Sequence, residues 1–129
     1  MRGEKSGVVL FAHGSDDPGW KIPFINIERR LAEKLGDNTL VRTAFLRQCE
    51  PDIFTVADEM NSGHCQNITI APVFLAAGNH VMKDFPAIAK SLEEKYPNIN
   101  FEWTDAIGQW PEAQEALAMA LMEKVTGQT

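Results

Sequence analysis

Short apolar runs alternate with amphipathic runs along the whole sequence, and this alternation limits the possible folds more than any other feature. The strand-like runs are Gly7 to Ala12, about Leu40 to Phe45, Ile68 to Leu75, and about Asn100 to Thr104. The first and third are apolar almost throughout, as suits strands buried on both faces. Helix-like stripes fill the gaps. Phe24, Ile27, Leu31 and Leu35 form one before Gly36. Ile53, Val56, Ala57 and Met60 form another within Asp52 to Ser62, with Gly63 after it. A third helix is predicted over Lys83 to Lys95, with Pro86 in its first turn. A fourth opens at Pro111 and carries Ala113, Leu117, Ala120, Leu121 and Val125 before Gly127. The order βαβαβαβα predicts an α/β fold: a four-stranded, mostly parallel sheet with helices on both faces, because parallel neighbours need crossover connections. The 129 residues fit a single domain spanning 1–129.

Charge narrows the function. Asp plus Glu number 18 against 12 Lys plus Arg, a net charge of −6, which argues against a nucleic-acid surface. No apolar run approaches the ~20 residues of a membrane span, and no signal-peptide pattern precedes the first strand. Cys49 and Cys65 form no CxxC pair and read as reduced thiols. A cytoplasmic location is expected.

In open parallel sheets, ligands bind beyond the carboxyl ends of the strands. The segments there are His13 to Trp20, Leu46 to Pro51, Ala76 to Phe85 and Asp105 to Trp110. Two of the three histidines fall in them: His13 directly after the first strand, His80 after the third. If those strands are neighbours, two imidazoles can converge on one ion, and imidazole suits Co, Ni, Fe and Zn. Taken singly, each also reads as a hydrogen-bonded loop residue. His64 follows a helix end at the opposite edge and reads as structural. Asp52 and Asp84 read as helix-start carboxylates, Asp16-Asp17-Pro18 as a turn, and Glu50 as a charge opening a helix at the ligand edge. Gly14 and Gly78 suit tight turns or close ligand approach. No GxGxxG or Walker pattern is present. Trp20, Phe24, Phe74, Phe85 and Trp110 offer apolar walls near this edge, or core.

These residues carry a resemblance. Val9-Leu10-Phe11-Ala12-His13-Gly14-Ser15 is one mark, and Ala44-Phe45-Leu46 followed by Glu50-Pro51 is another. The third is Ala71-Pro72-Val73-Phe74-Leu75 leading through Gly78 to His80-Val81-Met82-Lys83-Asp84-Phe85-Pro86. In this order and spacing the chain resembles the short, single-domain sirohydrochlorin chelatases, the CbiX/SirB-type class II chelatases, over about residues 7–125. The resemblance implies a flavodoxin-like or chelatase-like fold and insertion of a divalent metal into sirohydrochlorin, in cobalamin or sirohaem biosynthesis. Cobalt is the first expectation, with iron or nickel as alternatives, each as substrate and with no organic cofactor. It implies His13 and His80 as the catalytic, metal-binding pair, and a homodimer. Two positions depart from the family pattern: Arg47 stands where a glutamate is usual, and Asp16 where a basic residue is usual.

Metal insertion needs few protein ligands, so that coordination positions stay open. Two imidazoles meet that need, with Glu50 as a candidate third ligand. The macrocycle carries many carboxylates. Arg47 and Lys83 are the candidates to meet them, with Gly14, Ser15 and Gly78 as further substrate contacts. One rival reading is a non-catalytic metal or tetrapyrrole carrier, motivated by Arg47. Another is histidine-dependent phosphoryl transfer, which wants an arginine beside the histidine where Ala12 stands.

Overall fold

Parallel pairing of the apolar runs is what the chain adopts. The computed structural model describes residues 5–76 and 78–127, with 79–81 described by backbone alone. In order the elements are β1 (Lys5–Ala12), α1 (Ile22–Leu35), β2 (Thr39–Phe45), α2 (Ile53–Ser62), β3 (Cys65–Pro72), α3 (Asn79–Lys95), β4 (Asn100–Trp103), a 3-10 turn at Ile107–Gln109, and α4 (Pro111–Thr126). The strands form one sheet in the order β2-β1-β3-β4, and every neighbouring pair is parallel.

Strand alternation divides the apolar residues between two faces. On one face Val9, Phe11, Ala44, Ile68 and Ile70 pack with Ile53, Val56 and Met60 of α2, Phe85 and Leu92 of α3, and Tyr96 just after it, forming the buried core. Phe11, Phe85 and Trp103 meet ring to ring there, with Phe85 centred 5.6 Å from Phe11 and 5.3 Å from Trp103. On the other face, α1 lies over β2. Glu28 accepts hydrogen bonds from the Thr43 amide at 2.8 Å and the Thr43 hydroxyl at 2.9 Å. Trp20 and Phe24 cover Phe45.

Helix starts follow local chemistry. Asp52 caps α2, its Oδ1 accepting the Thr55 amide at 2.8 Å. Proline opens α1 and α4, where its missing N–H costs nothing. Two expectations need correction. The third strand ends at Pro72 rather than Leu75, and the third helix begins at Asn79 rather than Lys83. Extended Gly78 caps α3, its carbonyl accepting the Met82 amide at 3.2 Å. Pro86 therefore lies inside the helix and not in its first turn. The reason is that an interior proline costs a hydrogen bond but does not forbid a helix anchored on both sides by packing, as Phe85 and Leu92 anchor this one.

The last helix differs from the others. It adjoins the 3-10 turn, and Leu117, Met119, Leu121, Met122 and Val125 remain exposed. Among the described residues, no helix is long and apolar enough to cross a membrane.

Candidate functional site

The sheet order makes β1 and β3 neighbours. From β1 the chain leaves toward β2, and from β3 it leaves toward β4, so the crevice beyond their carboxyl ends is the point where the winding reverses. Such switch points are where open α/β sheets hold ligands. His13 stands on one side of it, directly after β1, and the first turn of α3, with His80, stands on the other. His80 was expected on a loop, with Lys83 at the start of the helix; both instead lie within α3, which begins at Asn79. The His80 side chain lies outside the described residues, so its contacts are not part of the geometry.

His13 is half-buried, and its Nδ1 lies 3.2 Å from the Gly14 carbonyl oxygen. A carbonyl only accepts, so Nδ1 is the donor in this contact, and in the neutral ring that leaves the Nε2 lone pair free. That is the tautomer a metal ligand needs. The loop after β2 is strapped onto the same strand end. The Leu46 amide donates to Ala12 O at 2.8 Å, and the Arg47 amide to His13 O at 3.1 Å. Gly14 permits this approach: its φ is +100°, and a Cβ would overlap the Arg47 carbonyl. Gly14 thus serves the chain's own packing. Gly78, with φ −74°, takes dihedrals open to any residue, so its expected role as a turn device is not required.

The turn read at Asp16-Asp17-Pro18 is present. Ser15 Oγ accepts the Asp17 amide at 3.1 Å, and Asp17 Oδ1 accepts the Gly19 amide at 3.0 Å. The Ser15 O–H stays available as a donor.

Charged groups line the crevice from both walls. Arg47 Nη2 lies 3.3 Å from Asp84 Oδ2, joining the β2 loop to α3. Asp84, read from sequence as a helix-start residue, is therefore a helix-interior residue with an ion partner. Lys83 is exposed beside it. Lys21 Nζ lies 3.4 Å from the Glu50 carbonyl oxygen, and Glu50 itself is exposed. Among the described residues, no group of three or more His, Cys, Asp or Glu side chains is arranged to hold a metal.

Apolar surface at this edge was missed from the sequence. Leu75 is 72% exposed and Met82 40%. A strand assignment for Leu75 and a loop assignment for Met82 hid them, since neither predicts an exposed apolar side chain; Met82 stands near the start of α3, whereas Leu75 lines the groove between α1 and α4. Of the expected aromatic walls, Phe85 is buried in the core, with Phe74 stacked against it at 6.2 Å. Phe24 and Trp110 instead line an apolar groove of about 620 Å3 between α1 and α4, shared with Ile27, Ile107, Ala113 and Leu117.

Comparison with known proteins adds to this geometry. The CbiX family model matches residues 7–124. The sirohydrochlorin cobaltochelatase of Priestia megaterium is 32% identical over 125 residues, covering 95% of this chain but only 40% of that protein. The sirohydrochlorin cobaltochelatase of Methanosarcina barkeri is 35% identical over 91 residues, covering 70% of this chain and 68% of that one. A crystal structure of a CbiX cobalamin biosynthesis protein from Marinobacter aquaeolei superposes with a TM-score of 0.82 at 27% identity, covering 95% of this chain and 99% of the other.

Proposed function

This chain belongs to the CbiX family, and we propose that it is a metal chelatase, a lyase that inserts a divalent metal into sirohydrochlorin. The observation that carries the proposal is the placement of His13 and the first turn of α3 on opposite sides of the β1/β3 switch point. Cobalt is the first metal substrate, as in the names of the relatives. Iron and nickel are alternatives, since similar ligand sets accept all three.

The chemistry follows from the site. His13 and His80 hold M2+ with two nitrogens and leave its remaining positions to water and pyrrole nitrogens. Four macrocycle nitrogens replace water and the imidazoles on the metal while two pyrrole N–H protons leave, so the products are the metallated macrocycle and two protons. An imidazole released from the metal is a suitable acceptor near neutral pH. Glu50 is the proposed carboxylate to assist at the loop edge. Met82 offers apolar contact to a flat ring, and Arg47 and Lys83 meet its peripheral carboxylates. Ser15 contributes its O–H, and Gly78, with no atom within 4 Å of where a Cβ would stand, leaves backbone room beside it.

A single copy offers an open crevice. We place a second copy over it, forming a homodimer. The exposed apolar side chains of α4 and the groove between α1 and α4 support this, because monomers seldom leave so much apolar helix surface in water. Charge supports it too. The exposed α1 surface carries Arg29, Arg30 and Lys34 against Glu33, whereas α4 carries Glu112, Glu115 and Glu123 against Lys124, so the two surfaces are of opposite net sign. The reaction belongs in a reducing compartment, the cytoplasm, which keeps Cys49 and Cys65 as the free thiols they are.

The test is anaerobic mixing with sirohydrochlorin and Co2+, Fe2+ or Ni2+ in turn, following macrocycle absorbance against the uncatalysed rate. Acceleration by the parent chain, and its loss in both His13→Ala and His80→Ala, is the expected result. Metal binding without acceleration would replace the chelatase with a carrier.

A further inference from the structure

The Arg47–Asp84 pair raises an electrostatic question that the two-histidine site does not answer. Arg47 is tied through its backbone to His13, amide to carbonyl at 3.1 Å. Its guanidinium reaches across to Asp84 at 3.3 Å. Asp84 lies four residues after His80 on α3, and residues so spaced share a helix face. One unit of positive charge therefore stands between the two elements that carry the metal-binding histidines. An uncompensated cation there repels an arriving dication, and the repulsion between exposed charges extends over roughly a Debye length of ~8–10 Å.

We infer that Asp84 is a positioning residue for metal loading: it holds and neutralises the Arg47 guanidinium while the dication binds, and yields it when a macrocycle carboxylate arrives. This rests on the chelatase reading and extends it to a residue outside the metal ligands. Both partners are about half exposed, 52% and 48% at the side chain. The pair is thus weak enough to exchange, since exposed ion pairs contribute little to stability. A substrate carboxylate can replace Asp84 on the guanidinium with the number of charge-assisted hydrogen bonds unchanged.

Four proteins test it by calorimetric titration with Co2+ alone: the parent, Asp84→Asn, Arg47→Gln, and the double variant. Asp84→Asn exposes the guanidinium and should weaken Co2+ binding on the order of three- to tenfold. Arg47→Gln should bind as well as the parent or more tightly. The double variant should return to the Arg47→Gln value, because Asp84 then has no cation to mask. Equal weakening in Asp84→Asn and in the double variant would overturn the inference, since Asp84 would then act without Arg47. Four equal affinities would overturn it as well, while leaving the chelatase reading intact if insertion still occurs. Absence of Co2+ binding and of insertion in the folded parent would overturn both. The exchange step has its own readout. Arg47→Gln should raise KM for sirohydrochlorin with little change in kcat, whereas an equal fall in kcat would assign Arg47 to the chemical step. Circular dichroism of all four confirms that folded proteins are compared.

Discussion

The backbone of Arg47 passes so close to Gly14 that a side chain on Gly14 would overlap the Arg47 carbonyl oxygen. The contact locks the loop after β2 to the loop that begins at His13, through hydrogen bonds from Leu46 to Ala12 and from Arg47 to His13. Gly14→Ala combines that overlap with a φ of +100°, which L side chains rarely adopt. A stability loss of about 2 kcal/mol or more is expected, read from the midpoint of urea unfolding. Co2+ affinity should fall with it, because His13 shares the displaced backbone. A variant with unchanged midpoint and unchanged affinity would show that the two loops separate freely.

Glu28 closes the exposed edge of the sheet by a similar economy. Its carboxylate accepts from both the amide and the hydroxyl of Thr43, a residue only 2% exposed. Removing the acceptor leaves two donors of a buried residue unpaired. Glu28→Ala should cost about 1–3 kcal/mol. Glu28→Gln keeps an acceptor oxygen and should lose less. The order Ala worse than Gln in denaturant unfolding checks the assignment, and equal losses would mean that charge alone matters.

Alkaline pH should act through Tyr96. Burial, and then the hydrogen bond donated to the Asp58 carboxylate, push its phenol up to about 12. The unfolded phenol titrates near ~10. A group with a raised native pKa contributes its stability below the unfolded pKa and loses it as pH rises through the native one. Stability should therefore decline as pH rises between about 10 and about 12. Tyr96→Phe should be less stable near neutrality, having lost the bond to Asp58, and should lack this part of the alkaline slope. Parallel unfolding curves across that pH window for both proteins would refute the role of Tyr96.

Much of this was legible beforehand, for physical reasons. Alternation of apolar runs with crossover stripes implies parallel strands, and β1 and β3 do pair. That adjacency is what sets His13 opposite the start of α3. Asp52 behaved as a helix cap because its chemistry is local. Other features were illegible because they are not local. The start of α3 was hidden by Pro86, whose usual first-turn position pointed to Lys83 instead of Asn79. The Arg47–Asp84 pair joins residues 37 apart, and nothing in either neighbourhood announces the other. The stripe on α4 has the same period whether it covers its own sheet or another molecule, so periodicity could not foretell that Leu121 and Val125 stay exposed.

That last helix yields the sharpest prediction about assembly. Leu121 is 65% exposed and Val125 83%, so neither contributes much to the fold of one copy. At an interface each would be an apolar anchor, and truncating a well-buried anchor can cost about 2 kcal/mol or more in association. Leu121→Asp with Val125→Asp should therefore leave the unfolding midpoint of the isolated chain nearly unchanged. The same double variant should weaken self-association at least ~100-fold, read by sedimentation across a concentration series. Sirohydrochlorin metallation should slow in proportion to the monomer formed, since the crevice then loses its cover. A parent chain that sediments as a monomer at working concentration, with full insertion activity, would show that one copy suffices and would overturn the dimer.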